Sequence, residues 1–287
     1  MSKKIFSTLL ILSMLAVCLS MTTVAAFAKA SNELTISTTT SVNDSGLLGK
    51  LVPKFEKQYN AKVKVISVGT GQALEIARRG DADVVLVHSK KQETKFINEG
   101  YGTKRHIIMC NYFAVVGPKN NPAHIKGYDF SQIMGSIAKT KSPFISRGDK
   151  SGTHTKELSL WQEAKINPKG SSWYIEAGAG QGVTLLMANE KKAYTLTDKA
   201  TFLKFQGDNR LPNLTILIDG GKSLLNVYSV IPVNPNKVKN VNTDLANKFT
   251  KFMESKPVQN YIATYGKKEF GKPLFTPRIH MNSSQII

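Results

Sequence analysis

From residue 33 onward the chain alternates between short runs rich in β-branched residues and amphipathic stretches with apolar residues at helical spacing. The pattern predicts a strand over residues 34–38, a helix over residues 46–59 and a second strand over residues 62–67. Alternation of this kind is typical of parallel strands joined by right-handed helical crossovers. We therefore expect an α/β protein.

The same reasoning places the remaining elements. Further strands are expected over residues 82–88, 107–116, 144–146, 173–177, 193–197, 214–218 and 227–233. Further helices are expected over residues 72–79, 93–99, 130–139, 155–164, 182–190, 243–255 and 257–265. No linker rich in Pro, Gly or Ser divides the chain into halves, so we expect interleaved domains. The extended runs 107–117 and 225–233 are the natural crossings between them.

The first 30 residues have the composition of a secretory signal. Lys3 and Lys4 form a charged start, residues 5–17 are mostly apolar, and Ala28-Lys29-Ala30 offers a cleavage site of the small-x-small type. We predict a signal peptide over residues 1–30. The mature chain is then expected in the periplasm or the extracellular space.

Two alternatives stay open at this end of the chain. The apolar run could remain as a membrane anchor, although it is short for a membrane span. Cys18 could instead carry a lipid, although Val17 is a poor fit for the small residue expected before a lipid-modified cysteine. Beyond residue 30 no apolar run reaches membrane-spanning length.

Composition limits the class of function. The formal net charge is +19, and removal of the three lysines among the first 30 residues leaves +16. The lysines after residue 30 are dispersed and form no long basic block, which favours a solvated surface over a nucleic-acid interface. Cys110 is the one cysteine after residue 30, so an internal disulfide and a CxxC metal site are excluded. We expect Cys110 to be buried as a small hydrophobe.

Residues 146–154 combine one arginine, several glycine and hydroxyl residues and a following helical pattern. Glycine lets the backbone approach a ligand closely, and the first N–H groups of a helix have no partner inside the helix. The helix dipole favours negative charge at that end. Arg147 adds a planar fork that can hold two oxygens. This stretch predicts a site for a small, ionised oxyanion.

Two other turns have a similar composition. Residues 38–41 follow the first predicted strand, and residues 69–72 follow the second. All three turns therefore lie at the carboxyl ends of strands, where open α/β sheets bind ligands. A single turn of this kind is more often a helix cap, but three together predict that their donors converge on one anion.

These turns belong to a longer series of motifs. In order along the chain, they resemble the motifs of tungstate-binding proteins of ABC importers. The resemblance covers essentially the whole mature chain and implies a type II periplasmic-binding-protein fold, in which two venus-flytrap lobes interleave and two crossover strands join them. We place lobe I at residues 31–112 and 229–287 and lobe II at residues 113–228. The motifs that carry the resemblance are residues 38–41, 69–74, 82–88, 146–154 and 194–198.

The resemblance also implies a function. It implies a monomeric solute-binding protein, not an enzyme, that captures tungstate or molybdate and delivers it to a membrane permease without a cofactor, a metal cation or nucleic acid. Carried over residue by residue, the ligand shell consists of donors from the three turns. These are Thr39, Thr40, Ser41, Thr70, Gly71, Arg147, Ser151, Gly152 and Thr153.

The sequence departs from the family pattern at two places. Lys199 stands where an arginine is expected, and residues 110–113 lack an expected acidic residue. The identity of the anion therefore stays open, with phosphate, sulfate and molybdate as alternatives. A secreted hydrolase that uses Ser151 and His154 is a further alternative, disfavoured because the Gly-x-Ser-x-Gly elbow is missing. The last alternative is a basic surface or adhesion protein that acts through its charge.

Three other side chains have expected roles. A carboxylate that points at a fully ionised anion would repel it, so we expect Asp149 to brace Arg147 or to cap the turn. His88 ends a buried strand and is expected to be a packed, satisfied histidine. His154 is expected to cap the turn or to lie at the surface, and Trp161 to lie in the core.

Overall fold

The structure is a computed structural model that describes residues 32–125, 127 and 129–282. The signal peptide predicted over residues 1–30 and the cysteine proposed for lipidation, Cys18, lie outside the described residues. No helix in the described part of the chain is long and apolar enough to cross a membrane.

Every predicted strand and helix is present, within a few residues of its expected position. The strands are β1 (Glu33–Thr39), β2 (Lys62–Val68), β3 (Val84–Val87), β4 (His106–Pro118), β5 (Phe144–Ser146), β6 (Tyr174–Glu176), β7 (Thr195–Asp198), β8 (Leu214–Asp219), β9 (Leu225–Pro232) and β10 (Thr276–Pro277). The helices are α1 (Thr40–Asp44), α2 (Leu47–Tyr59), α3 (Thr70–Arg78), α4 (Lys90–Asn98), α5 (Phe130–Lys139), α6 (Gly152–Glu163), α7 (Gln181–Glu190), α8 (Lys199–Gly207), α9 (Thr243–Glu254), α10 (Lys256–Thr264) and α11 (Lys267–Phe270). Short 3₁₀ turns span Lys222–Leu224 and Arg278–His280.

The first sheet has the strand order β2-β1-β3-β9-β4-β10. Strand β1 pairs in parallel with both β2 and β3, as the strand–helix alternation predicts. Strand β9 runs antiparallel to its neighbours β3 and β4. The carboxyl ends of β1, β2 and β3 therefore meet at one edge of this sheet.

Strand β4 connects the two halves of the molecule. Its residues 106–112 pair with β9, whereas its residues 113–118 pair with β7 and β8. The expected crossing over residues 107–117 is therefore one continuous strand. A separate two-stranded parallel sheet is formed by β5 and β6. The residue limits of the two lobes stay a prediction, and lobe I and lobe II denote these predicted ranges.

The core follows the alternation of side chains along the strands. In β3, Val84 and Leu86 pack into one apolar cluster and Val85 and Val87 into another, on the opposite face of the sheet. In β4, successive residues after position 112 likewise divide between two clusters of lobe II. Trp161 and Cys110 are buried, as expected.

Four elements were not predicted: α1, α8, α11 and β10. Helix α8 begins directly after β7, and the Asp198 side chain caps it by accepting from the N–H groups of Ala200 and Thr201. Helices α3 and α6 also begin earlier than expected, at Thr70 and Gly152 instead of Gln72 and Thr155. The donor-rich turns are therefore the first helical turns themselves. Their glycine and threonine residues, which are weak helix formers, obscured this in the sequence.

Candidate anion-binding site

Arg147 follows β5 directly, and its side chain is 1% exposed. Nη2 donates to Thr40 Oγ1 at 3.0 Å and forms an ion pair with Asp149, and Nη1 donates to Gln181 Oε1 at 3.4 Å. The guanidinium thus reaches from lobe II to α1 of lobe I. Two of the three predicted turns meet at this side chain.

Asp149 has both of the roles expected for it. Its Oδ2 pairs with Arg147, and its Oδ1 accepts from the Ser151 N–H at 3.1 Å. Burial lowers the pKa of Arg147, and the charge and hydrogen bond of Asp149 oppose this shift. The carboxylate therefore helps to keep a buried guanidinium charged.

The third turn meets lobe II through Thr70. The Gly152 N–H donates to Thr70 Oγ1 at 3.2 Å across the two lobes. A Cβ at Gly152 would lie 3.0 Å from His88 Cε1 and 3.2 Å from Thr70 Oγ1. A Cβ at Gly71 would lie 3.3 Å from Gln92 Oε1. Glycine at these positions lets the helix starts of the two lobes approach closely.

Thr39 and Ser41 form a short polar chain with His88. The hydroxyls of Thr39 and Ser41 are 3.1 Å apart, and Ser41 Oγ lies 3.0 Å from His88 Nε2. Burial, with a smaller effect from Arg147, lowers the pKa of His88 to about 3, so the ring is neutral near pH 7. His88 is packed as expected, yet its Nδ1 has no hydrogen-bond partner among the described residues.

Ser151 and His154 shape the loop. Ser151 Oγ accepts from the His154 backbone N–H at 3.2 Å as the N-cap of α6, and His154 Nδ1 accepts from the Lys150 N–H at 3.0 Å. The capping role expected for His154 is confirmed. Both groups are engaged with the backbone, which disfavours a nucleophile–base pair between them.

Two residues that join the lobes beside Arg147, Asp44 and Gln181, were not predicted from the sequence. Helix α1 lies against the N-terminus of α7, where the Gln181 N–H donates to Thr40 Oγ1 and the Gly182 N–H donates to Asp44 Oδ2, each at 3.2 Å. Burial raises the pKa of Asp44, opposed by the Gly182 N–H and by Arg147. The glycine-rich residues 178–182 were a signal for Gln181, whereas Asp44 lay between the predicted turn at residues 38–41 and the predicted helix over residues 46–59.

The structure shows what surrounds the two departures from the family pattern. Lys199 forms an ion pair with Asp219 at the end of β8, so its charge is already engaged. Near residues 110–113, Asn111 and Asn226 each donate to the Asp198 carboxylate at 2.9 Å. Asp198 therefore places a carboxylate where the crossing strands meet.

Several buried polar atoms around Arg147 have no hydrogen-bond partner in the part of the chain that the structure describes. Buried polar groups are normally paired, so each exception calls for an explanation. Three of these atoms belong to groups that carry hydrogens and can donate to an anion. They are Arg147 Nε, Gln181 Nε2 and Thr153 Oγ1. Among the same described residues, no group of three or more His, Cys, Asp or Glu is suited to hold a metal cation.

Comparison with known proteins agrees with this arrangement. The family model of a PBP superfamily domain matches residues 23–257. The chain is 45% identical over 252 residues to the tungstate-binding protein TupA of Peptoclostridium acidaminophilum, covering 87% of each protein. The chain belongs to this tungstate-binding family of the PBP superfamily.

Two further relatives extend the comparison. A putative ABC transporter anion-binding protein of Haloferax volcanii is 45% identical over 258 residues, which cover 88% of this chain and 74% of the relative. The crystal structure of a tungstate ABC transporter protein from Geobacter sulfurreducens is 48% identical, with a TM-score of 0.74, and covers 83% of this chain and 100% of that one. The two-lobe periplasmic-binding fold expected from the sequence is thereby confirmed.

Proposed function

We propose that this protein is the solute-binding component of an ABC importer and that it captures tungstate, with molybdate as a competing ligand. The observation that carries the proposal is Arg147, a buried guanidinium held between the lobes, together with buried donors that have no partner among the described residues. The tungstate-binding relatives support the choice of anion. The two ions are nearly equal in size and charge, so the choice between them depends on those relatives.

The proposed ligand shell is the set of nine residues derived from the three turns. Arg147 supplies the positive charge. The hydroxyls of Thr40 and Thr70 accept hydrogen bonds from lobe II, which leaves the hydrogen of each hydroxyl available for an anion. Thr153, in the first turn of α6, adds a hydroxyl that has no partner in the described part of the chain. Asp44 and Gln181 brace this shell from outside it.

The position of Asp149 favours a fully ionised anion over phosphate. A protonated phosphate offers an O–H, which a free carboxylate would accept. Both carboxylate oxygens of Asp149 are already engaged, with Arg147 and with the Ser151 N–H. Tungstate, molybdate and sulfate carry no such proton near pH 7, so the engaged carboxylate suits them.

The remaining parts of the proposal concern the cellular role. The mature protein works outside the cytoplasm, either free or anchored through Cys18, and it passes the anion as a monomer to the permease. Lobe I comprises residues 31–112 and 229–287 and lobe II residues 113–228. Closure of the two lobes around the anion is favoured to the extent that the anion binds the closed form more tightly.

Isothermal titration of the mature chain with tungstate, molybdate, sulfate and phosphate tests the proposal. We expect saturable heat with tungstate and with molybdate, and much weaker binding of the other two anions. Preferential binding of phosphate or sulfate would support another receptor of the same fold. The absence of saturable heat with all four anions would refute an oxyanion receptor.

A further inference from the structure

Helix α7 begins differently from helices α5, α6 and α8 of the same lobe. Each of those three is capped by the side chain of its own N-cap residue, which accepts from N–H groups of the first turn. These residues are Asp129, Ser151 and Asp198. The N-cap residue of α7 is Gly180, which has no side chain to serve as a cap. The first N–H groups of α7 therefore need acceptors from elsewhere.

Lobe I supplies these acceptors. Thr40 and Asp44 are the first and last residues of α1, so they lie one helical turn apart on the same face. Thr40 Oγ1 accepts from the Gln181 N–H at 3.2 Å. Asp44 Oδ2 accepts from the Gly182 N–H, also at 3.2 Å. A Cβ at Gly180 would lie 3.1 Å from Thr40 Cγ2, so glycine there lets α1 approach closely. One lobe thus caps a helix of the other.

The two acceptors differ in what else they contact. Thr40 also accepts from Arg147 and belongs to the proposed ligand shell. Asp44 lies outside that shell, since a carboxylate in contact with a dianion would repel it. Its bond to the Gly182 N–H joins the two lobes directly. This bond forms only when the lobes meet, so it stabilises their closed arrangement.

We propose that Asp44 is a positioning residue for anion capture, which caps α7 from the other lobe and thereby holds the two lobes closed around the anion. This inference rests on the proposed function. The capped helix begins beside the guanidinium, because Gln181 Oε1 accepts from Arg147 Nη1 at 3.4 Å. A receptor whose closed form is less populated binds every anion more weakly, by the same factor. Asp44 therefore affects the affinities for tungstate and molybdate but not their ratio.

The charge of Asp44 acts in the opposite direction. Burial lowers the pKa of Arg147, and the charge of Asp149 and, to a smaller extent, that of Asp44 oppose this shift. The Asp44 carboxylate thus partly offsets the positive charge that attracts the anion. On the basis of charge alone, removal of Asp44 would strengthen anion binding. A loss of affinity would therefore identify the cap, and not the charge, as the contribution of Asp44.

The test is isothermal titration of the mature chain with sodium tungstate and with sodium molybdate. We expect Asp44→Ala to weaken the binding of both anions about tenfold, because the Gly182 N–H loses its acceptor. Asp44→Asn should bind both at least as tightly as the wild type, since Asn and Asp cap helices about equally well. Asp244→Ala is the control, because it removes the same charge from a residue that pairs with Lys248 at the exposed surface of α9. Its affinities should equal those of the wild type.

The outcomes separate this inference from the proposed function. If the wild type binds neither anion, the receptor is overturned and this inference with it. If the wild type binds and Asp44→Ala binds equally well or more tightly, the role of Asp44 is overturned and the receptor stands. An equal loss in Asp44→Asn, or a loss for one anion alone, also overturns the role of Asp44.

Amide hydrogen exchange of the wild type is a second test, and it decides if Asp44→Ala does not fold. N–H groups in the first turn of a helix exchange quickly unless they have an acceptor. Tungstate should slow exchange at Gly182, whose acceptor lies on the other lobe. Exchange at Ala200 should stay the same, because Asp198 caps it from within lobe II. Unchanged exchange at Gly182 would overturn the inference.

Discussion

The two lobes contribute different chemistry to the proposed site. The turns of lobe I, at residues 39–41 and 70–71, offer hydroxyls and backbone groups and no charged side chain. The loop of lobe II, at residues 146–153, contains Arg147 and the carboxylate that braces it. Lobe II thus presents the charge, and lobe I presents neutral donors that surround it.

The two lobes also differ in the contacts that hold their binding groups in place before the ligand arrives. Arg147 is held by Asp149 and Gln181, both from lobe II, so its position does not depend on lobe I alone. The Thr40 hydroxyl, in contrast, meets its donors only across the lobe junction. We infer that the groups of lobe II supply most of the binding free energy. The groups of lobe I mainly close the site around the anion.

The strongest test of this division is Arg147→Ala. The variant removes the buried cation and leaves the Asp149 carboxylate without its partner, so we expect tungstate affinity to fall by at least about 4 kcal/mol, close to a thousandfold. Isothermal titration measures the loss. Arg79→Ala is the matched control, because Arg79 pairs with Asp81 at the exposed surface and should leave the affinity unchanged. An unchanged affinity in Arg147→Ala would mean that the site is elsewhere.

The second test concerns the base of the lobe II loop, where Glu157 is buried. Its carboxylate accepts from Ser146, Trp161 and Tyr174. Burial raises its pKa to about 7 from a usual value of 4.5. Between these values the native state keeps a proton that the unfolded state loses, so the free energy of unfolding falls as pH rises from 4.5 to 7. The fall is about 3 kcal/mol.

Glu157→Gln should abolish that part of the pH dependence. Denaturant unfolding at pH 5 and at pH 7 measures the difference between the variant and the wild type. The variant should gain stability relative to the wild type as the pH rises. Glu163→Gln, on the same helix and not among the buried residues, is the control. If both variants follow the wild-type curve, Glu157 does not titrate in this range.

The smallest expected change in tungstate affinity comes from a substitution in lobe I. Thr40→Val keeps the shape of the side chain and removes the hydroxyl that accepts from Arg147 and Gln181. We expect tungstate affinity to fall by about 1–2 kcal/mol. Thr264→Val, at the end of α10, is the control. A loss as large as that of Arg147→Ala would remove the distinction between the lobes.

The sequence predicted the fold and the positions of the three turns because both depend on local patterns. Alternating apolar residues specify β1 and β2, a continuous apolar run specifies β3, and Thr40, Thr70 and Arg147 come within two residues of strand ends. It did not predict the roles of Asp44 and Asp198. Their partners lie 138 residues away in the case of Gly182 and 87 in the case of Asn111. Such contacts arise only when the two lobes are assembled.

Strand β4 has a consequence for how the protein is assembled. One half of this strand completes the sheet of lobe I, and the other half carries the strands of lobe II. Neither lobe can finish its sheet until a single stretch of backbone is in place for both. The described chain should therefore melt in one cooperative transition, and a fragment that ends within β4 should not fold by itself.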